Sequence, residues 1–326
     1  MKRYKPNKQL FYLRGFGRLL IPRRLFMSRL AHRLASLDQR PDKDYILDRV
    51  DYYNRLSAPF VLPPEATRLD SLSRKTARTM YYLDASQVAR WFDGGLRWMT
   101  AFGDVNYVAA HPSVTKSRPL GLDNANNVLL KLNRYRHFNF IRDPYPTESK
   151  WDKAVFRADI GIPDVQSRAR FNKQNRIEFM RMYFGSDCCD CGSIRNRPGL
   201  PSEWITPRLS IGEHLRYKYI LALEGDDVAS NLKWIMSSNS LAVTPRPTCE
   251  TWFMEGRLVP DYHYVEIRPD FADLPERMAY YSAHPDEAAA IVRHAHEWCS
   301  QFRDEAREEL IGLLVLHKYF TLSGQL

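Results

Sequence analysis

Hydrophobic residues follow two different periods between positions 217 and 236. From 217 to 223 apolar and aromatic residues form a short β-rich run, which is typical of a buried strand. After Glu224-Gly225-Asp226-Asp227 the apolar residues take helical spacing instead, at Val228, Leu232, Ile235 and Met236. The pattern predicts a strand, a turn and a helix whose first turn contains Ala229, Ser230 and Asn231. Because the first N–H groups of a helix lack partners and lie at the positive end of its dipole, this turn is a candidate phosphate site.

Helical and strand-like spacing alternate through the rest of the chain. Helices are predicted at 44–56, 84–96, 285–302 and 304–320, and strands at 98–102, 127–133, 137–141 and 263–267. Such alternation indicates an α/β fold. Pro144 and Pro146 interrupt the pattern and predict a linker. We expect four parts: an N-terminal segment at 1–40, an α/β domain at 41–148, a second α/β domain at 149–303, and a C-terminal helix at 304–326, for which packing against the first domain is one arrangement.

Length and cysteine usage narrow the class of protein. With 326 residues, 44% of them hydrophobic, the chain is long enough for two domains with sizeable cores. Five cysteines, an odd number, do not suggest a secreted disulfide framework and fit a reducing cytoplasm better. Cys188 and Cys191 have CxxC spacing and could bind zinc with Cys189 or His214, but no second pair completes a site. Free thiols and no bound metal are therefore predicted.

The positive charge is concentrated at the N-terminus. Residues 1–40 contain eleven Lys or Arg and one Asp, which equals the net charge of +10, while the remaining 37 basic and 37 acidic residues cancel. Aliphatic and aromatic residues lie between these cations, a combination that suits an anionic membrane surface. Two alternatives are a basic arm for nucleic acid, which is the less favoured partner, and a solvated face of the first domain.

Several segments between about residues 85 and 320 resemble one known family, and they occur in the family's order. They are Lys116-Ser117-Arg118-Pro119, Leu129-Leu130-Lys131-Leu132-Asn133, Arg136-His137-Phe138-Asn139-Phe140, Phe156-Arg157, the stretch 221–234, Ser237-Ser238-Asn239-Ser240 and Glu250-Thr251-Trp252-Phe253-Met254-Glu255-Gly256. In these positions the chain is similar to glycosyltransferase family 90. That family includes bacterial lipopolysaccharide glycosyltransferases of the LpsA type, fungal capsule proteins and Rumi-type protein O-glucosyltransferases.

The resemblance implies a fold and a reaction. The fold is GT-B, with two Rossmann-like domains facing a central cleft, and the reaction is inverting transfer from a UDP-sugar without a metal ion or other cofactor. Donor contacts carry over onto Arg157, Arg168, Arg170, Gly225, Asp227, Val228, Ala229, Ser230, Asn231, Lys233, Ser238, Glu250 and Glu255. Lys233 stands where eukaryotic members have Arg, which keeps the charge but loses the two-pronged hydrogen bond. Ala158 stands where the family has Gly.

Asp104 is the candidate catalytic base, because the family uses an Asp of the N-terminal domain to deprotonate the acceptor hydroxyl. It follows Gly103 at a predicted strand end, where α/β sheets place ligands. The alternative is a turn aspartate that closes the strand. For Glu250 and Glu255 the alternative to binding ribose or sugar hydroxyls is a solvated loop. Acceptor-side contacts are predicted at Lys116, Arg118 and Arg136.

The sequence thus predicts an inverting glycosyltransferase that moves glucose or xylose from a UDP-sugar to a hydroxyl of a lipopolysaccharide or capsule-type glycan, including lipid-linked ones. We expect it in the cytoplasm, peripheral on the inner face of the cell membrane through residues 1–40. The alternative is a non-catalytic module that binds phosphate or nucleic acid through its basic arm. Lys233 and the missing Gly after Arg157 keep that alternative open.

Overall fold

The computed structural model describes residues 7–161 and 175–326. The α-helices within these residues are α1 (Lys8–Leu19), α2 (Arg23–Ala35), α3 (Lys43–Tyr53), α4 (Thr79–Ala89), α5 (Arg134–His137), α6 (Asn175–Tyr183), α7 (Ile211–His214), α8 (Leu232–Met236), α9 (Leu274–Ala283), α10 (Pro285–Ser300) and α11 (Glu305–Leu322). The strands are β1 (Thr67–Arg68), β2 (Arg97–Trp98), β3 (Thr100–Ala101), β4 (Ser113–Thr115), β5 (Ser117–Pro119), β6 (Asn127–Leu129), β7 (Trp151–Ala158), β8 (Cys189–Ser193), β9 (Tyr217–Leu221), β10 (Leu241–Thr244), β11 (Cys249–Thr251) and β12 (Val265–Glu266).

A parallel five-stranded sheet forms the centre of the first of two units, unit 1, which contains His137–Thr248 and Met254–Gln301. Its strands lie in the order β12-β10-β9-β7-β8, and all neighbours run parallel. Counted along the chain this is the order 2-1-3-4-5 of a doubly wound sheet. Ligands of such sheets bind outside the carboxyl ends where the order reverses. In unit 1 that point lies between β7 and β9.

The β-rich run identified in the sequence is confirmed at the centre of this sheet. Tyr219 and Leu221 of β9 are fully buried, as is Val243 of the neighbouring β10. Helices α6, α9 and α10 pack on the sheet and share one apolar core with it, in which Phe179, Leu274 and Ile291 are buried. A strand buried on both faces needs a continuous apolar run, which is why the sequence signal was strong here.

Unit 2 contains Pro6–Arg136, Cys249–Phe253 and Phe302–Leu326. It contains a second parallel sheet with the strand order β3-β4-β6. Two antiparallel strand pairs, β1-β2 and β5-β11, belong to the same unit. Helices α3 and α11 pack together, and the side chain of Asn54 donates to the Val315 carbonyl at 3.1 Å. Glu308 of α11 is buried and ion-paired with Arg49 of α3 at 2.5 Å.

Three features differ from the sequence prediction. The helix predicted at 84–96 runs from Thr79 to Ala89 and ends five residues before Gly94 and Gly95, where the prediction ended it. No strand forms at 138–141, where the N–H group of Ile141 donates to Ser237 Oγ at 2.9 Å instead of to a neighbouring strand. The segment Cys249–Phe253, which the sequence assigned to the second domain, lies in unit 2 because β11 pairs with β5.

The mixed α/β class with parallel sheets is confirmed. Among residues 7–161 and 175–326 no helix is both long and apolar enough to cross a membrane. The Cys188 to Cys191 region is not a simple loop, since β8 begins at Cys189, and all five cysteines are free thiols.

Candidate functional site

The loop at 225–231 leaves β9 at its carboxyl end, on the ligand-binding edge of the unit 1 sheet. Within the described residues, the backbone N–H groups of Val228, Ala229, Ser230 and Asn231 donate to no acceptor. Val228 and Ala229 are nevertheless buried, at 5% and 4% exposure. A buried N–H group without a partner is costly, so a run of four such groups, two of them on buried residues and two on half-buried ones, indicates a place for an anion.

The sequence prediction that residues 228–231 form the first turn of a helix is wrong. Helix α8 begins at Leu232 and has five residues. The Asn231 side chain donates to the Leu221 carbonyl at 2.9 Å, which holds the loop against the end of β9 instead of letting the helix start earlier. With so short a helix the dipole contribution is small, and the attraction for an anion comes from the loop N–H groups themselves.

Arg176, near the start of α6, joins the two strand ends at which the sheet order reverses. Its guanidinium donates to the Asp159 carbonyl after β7 at 3.2 Å and to the Leu223 carbonyl after β9 at 2.8 Å. A Cβ atom on Gly225 would lie 3.0 Å from the same guanidinium. The absence of a side chain at Gly225 therefore allows a permanent positive charge to approach the 225–231 loop.

Two predicted donor residues, Lys233 and Glu255, form an ion pair with each other. Their side chains are 0% and 1% exposed. Glu255 follows Met254, a residue with left-handed backbone angles of φ 57° and ψ 50°, at the start of a short 3₁₀ turn. The positive charge of Lys233 is thus balanced inside unit 1, which leaves the loop N–H groups and Arg176 as the better candidates for phosphate contacts.

Other donor candidates have defined surroundings as well. Arg157 donates to the Asp190 carbonyl at 2.8 Å and to its carboxylate at 2.6 Å, within β7 and β8. Ser238 is buried after α8, where its hydroxyl donates to the Ile235 carbonyl at 2.6 Å. Asp227 is also buried. Arg168 and Arg170 lie outside the described residues.

The corresponding edge of unit 2 contains an ion pair. Asp104, in the loop after β3, is paired with Lys116, which directly follows β4. The Lys116 side chain is buried, whereas that of Asp104 is 33% exposed. The N–H group of the next residue, Val105, donates to Ser117 Oγ at 3.0 Å and fixes the loop. The carboxylate is thus held by its neighbours and still reaches solvent.

The electrostatic surroundings of Asp104 favour its ionised form. Burial by itself opposes ionisation, but the ammonium of Lys116 and the charges of Arg136 and Arg78 outweigh it, so the pKa of Asp104 lies below its ordinary value of 3.8. Three of the residues that the sequence assigned to catalysis or to the acceptor, Asp104, Lys116 and Arg136, therefore act on one another.

The remaining acceptor-side candidate, Arg118, is paired with Glu250 across the β5-β11 register at 2.7 Å, and both side chains are completely buried. Arg118 also donates to the Tyr52 carbonyl at 2.6 Å, and Glu250 accepts from the Tyr52 hydroxyl. The structure thus joins a predicted donor residue to a predicted acceptor residue inside unit 2. Their hydrogen bonds stabilise this unit and occupy both side chains in its interior.

Sequence reasoning missed two further groups at these edges. Asn133 follows β6 with φ 54°, is buried, and its side-chain oxygen has no hydrogen-bond partner among the described residues. Thr115 ends β4 and its buried hydroxyl is likewise unpartnered there. Asn133 lies in one of the segments that resemble the family, which was a usable signal. Thr115 and Arg176 could be identified only once the strand order was known.

No group of three or more His, Cys, Asp or Glu side chains that could hold a metal ion occurs in the described part of the chain.

Comparison with known proteins identifies the family. Residues 202–307 match the family described as Glycosyl transferase family 90, a range that includes the 225–231 loop, Lys233 and Glu255. The chain is also 38% identical over 318 residues to the O-glucosyltransferase LpsA of Dichelobacter nodosus, which covers 97% of this chain and 96% of the relative. Asp104 and Lys116 lie outside the first match, so only the second similarity extends far enough to include the unit 2 edge. The chain therefore belongs to glycosyl transferase family 90 and is a glycosyltransferase.

Proposed function

We propose that the protein transfers a glucosyl group from UDP-glucose to a hydroxyl of a lipopolysaccharide-type glycan, with inversion at the anomeric carbon and without a metal ion. The observation that carries this proposal is the run of four backbone N–H groups at 228–231 that find no acceptor among the described residues, on the ligand-binding edge of a doubly wound sheet. The relative's name, O-glucosyltransferase LpsA, favours glucose over xylose.

The loop acts on the leaving group. In the displacement, the bond between the anomeric carbon and the phosphate oxygen breaks, and its electron pair leaves with UDP. The negative charge that develops on the diphosphate is stabilised by the N–H groups of 228–231 and by Arg176, which are in place before the reaction begins. Preorganised donors of this kind lower the barrier because they need no rearrangement during the reaction.

Asp104 acts on the acceptor. Its carboxylate accepts the proton of the acceptor hydroxyl while the hydroxyl oxygen forms the new bond to the anomeric carbon, so a single displacement inverts the configuration. Lys116 and Arg136 keep the carboxylate ionised, and the exposed third of the Asp104 side chain is the part that a substrate can reach. Lys116 is a positioning residue, since its ammonium contacts Asp104 and is itself buried.

The proposal includes the GT-B arrangement that the resemblance implies, with the donor on unit 1 and the acceptor on unit 2. It rests on family membership and on the chemistry of each edge taken by itself. An inverting displacement requires a base for the attacking acceptor oxygen and anion-binding donors for the leaving phosphate oxygen. The two units offer one of these groups each.

The test is a donor and acceptor matrix. UDP-glucose, UDP-xylose and UDP-galactose are incubated with core lipopolysaccharide or with a delipidated core oligosaccharide, and UDP release and product anomeric configuration are measured. We expect acceptor-dependent UDP release with UDP-glucose and the β-anomer as product. Retention of the α-configuration would contradict single displacement. Absence of both turnover and UDP binding with every donor would overturn the proposed function.

A further inference from the structure

Five aliphatic side chains near the N-terminus face solvent on one side of α1 and at its junction with α2. Leu10, Leu13, Leu20, Ile21 and Leu25 are 40%, 71%, 85%, 41% and 48% exposed. Leu10, Leu13, Gly17 and Leu20 recur at steps of three and four residues and so share one helical face. We call Leu13, Arg14, Leu20, Ile21, Arg24, Leu25 and Arg29 the N-terminal patch.

The opposite face of α1 and α2 packs on the rest of unit 2, which fixes the direction in which the patch points. A Cβ atom on Gly15 would lie 2.8 Å from Leu83 of α4, so the two helices approach closely there. The Phe26 ring packs edge-on against Trp91 with 5.2 Å between centroids. Arg90 donates to the carbonyls of Arg18 and Ile21 at the end of α1. The exposed leucines are therefore held outward by the fold.

The cations of this region divide into two groups. Arg18, Arg23 and Arg33 make hydrogen bonds to other parts of unit 2, for example from Arg23 to the Phe92 carbonyl at 2.7 Å. Lys8, Arg14, Arg24 and Arg29 have no ion pair or hydrogen bond from their side chains within the described part of the chain. No acidic residue occurs before Asp38. The solvent-facing side is thus positive and aliphatic at the same time.

A surface that is both positive and aliphatic fits a lipid bilayer better than a nucleic acid. Single-stranded nucleic acids are bound by cations together with exposed aromatic rings that stack on the bases. Here the rings of Phe11 and Phe26 face the protein, since Phe11 contacts Tyr135 with centroids 5.6 Å apart and Phe26 contacts Trp91. The exposed side chains are leucine and isoleucine, which enter the acyl region of a membrane, while arginines bind the lipid phosphates.

We propose that the N-terminal patch docks this enzyme on an anionic lipid bilayer, with Leu13, Leu20 and Leu25 inserted below the phosphates and Arg14, Arg24 and Arg29 at the headgroups. It goes beyond the proposed function, because it concerns where the reaction takes place and does not depend on the identity of the sugar. A glycan attached to a lipid would then be presented at the surface on which the enzyme lies.

The test uses the full chain and flotation with two kinds of vesicle, pure phosphatidylcholine and phosphatidylcholine with about 30% phosphatidylglycerol, a content that gives a clearly anionic surface. Two triple variants separate the contributions: Leu13→Ser/Leu20→Ser/Leu25→Ser and Arg14→Gln/Arg24→Gln/Arg29→Gln. The matched controls are Val61→Ser, which is exposed and aliphatic, and Arg208→Gln/Arg293→Gln, which removes exposed cations elsewhere. Circular dichroism and thermal melting confirm that each variant is folded.

We expect the wild-type chain to float only with anionic vesicles. The arginine variant should bind on the order of a hundredfold more weakly, since each surface arginine contributes roughly fivefold. The leucine variant should keep only weak binding that disappears in about 0.5 M salt, because it retains the electrostatic attraction alone. The two controls should bind as the wild type does.

Insertion has its own readout. A Leu20→Trp reporter should show a blue shift of its added fluorescence with anionic vesicles, whereas a Val61→Trp reporter should not. Binding of both triple variants as tight as that of the wild type, equal binding of the wild type to neutral and anionic vesicles, or no blue shift at Leu20 would overturn the proposal. So would binding of single-stranded RNA that depends on the same arginines while vesicles are not bound. Turnover on a delipidated acceptor, unchanged in both triple variants, reports on the proposed function separately.

Discussion

The two parallel sheets of this chain end in different chemistry. In unit 1 the edge presents backbone N–H groups of the 225–231 loop and one guanidinium, and the nearby Lys233 is neutralised by Glu255 in the interior. In unit 2 the edge presents a titratable pair, Asp104 with Lys116. Backbone donors cannot change protonation state, whereas a carboxylate beside an ammonium can accept a proton and remain in place.

The difference matches the division of labour in the proposed reaction. A diphosphate needs donors that are fixed and always present, and in the proposed reaction these come from the loop that Asn231 holds to the Leu221 carbonyl. An acceptor hydroxyl needs a group that is ionised but accessible, and Asp104 meets both conditions. Variants that alter one edge and spare the other test this division.

The largest expected effect is that of Asp104→Asn. Turnover should fall about a thousandfold, because general-base catalysis contributes roughly 10²- to 10⁴-fold. UDP affinity, measured by calorimetry, should stay within a factor of about two, since the donor edge lies in unit 1. Asp123→Asn, an exposed aspartate of the same unit, is the control. Near wild-type turnover of a folded Asp104→Asn protein would exclude Asp104 as the base and favour the alternative that it only closes a turn.

Next in size is the effect of Glu255→Gln on stability. The change leaves the ammonium of Lys233 buried without its carboxylate, which typically costs about 3–5 kcal/mol. Urea unfolding followed by a unit 1 probe should show this loss, and Glu297→Gln on the surface of α10 should not. The double variant Lys233→Met/Glu255→Leu should recover most of the stability. Loss of UDP binding in that double variant would indicate that Lys233 contacts the phosphate groups after all.

A smaller effect is expected from Gly225→Ala. The added Cβ atom would lie 3.0 Å from the Arg176 guanidinium and would displace it from the 225–231 loop. UDP binding should weaken about three- to tenfold, a fraction of what a charged hydrogen bond is worth. Gly161→Ala is the matched control, because no atom lies within 4 Å of the position its Cβ would take. An unchanged dissociation constant for UDP would show that Arg176 does not contribute.

The smallest effect is a shift in pH dependence caused by Lys116→Met. The reactive form of Asp104 is the carboxylate, so activity is lost as the pH falls through its pKa, which lies below 3.8 in the wild type. Without the ammonium the effect of burial is opposed less strongly, so the pKa rises and the acid limb of kcat should move to higher pH. Lys116→Arg should return it towards the wild-type position. A profile that does not move would mean that Lys116 has only a packing role.

The parts that could be predicted from the sequence are local in origin. A run that is apolar or aromatic except at Lys218 predicts the strand β9, and the position of Asp104 after Gly103 at a predicted strand end makes it a candidate base in a chain that resembles the family. The start of α8 was misjudged by four residues, because helical spacing continued through Val228 while the side chain of Asn231 bonded to β9 instead. A pattern of apolar positions carries no information on such a competing hydrogen bond.

Which charged side chains pair with each other is visible only in the tertiary structure. Arg118 and Glu250 are 132 residues apart in sequence, and only the pairing of β5 with β11 shows that they neutralise each other. Arg176 became a site candidate only when the strand order placed its guanidinium between β7 and β9. The family and the α/β class could be inferred from the chain alone, because these depend on residue type and on neighbours along the chain. Which charges remain available to a substrate was decided by folding, since ion pairs form between residues that only the tertiary structure brings together.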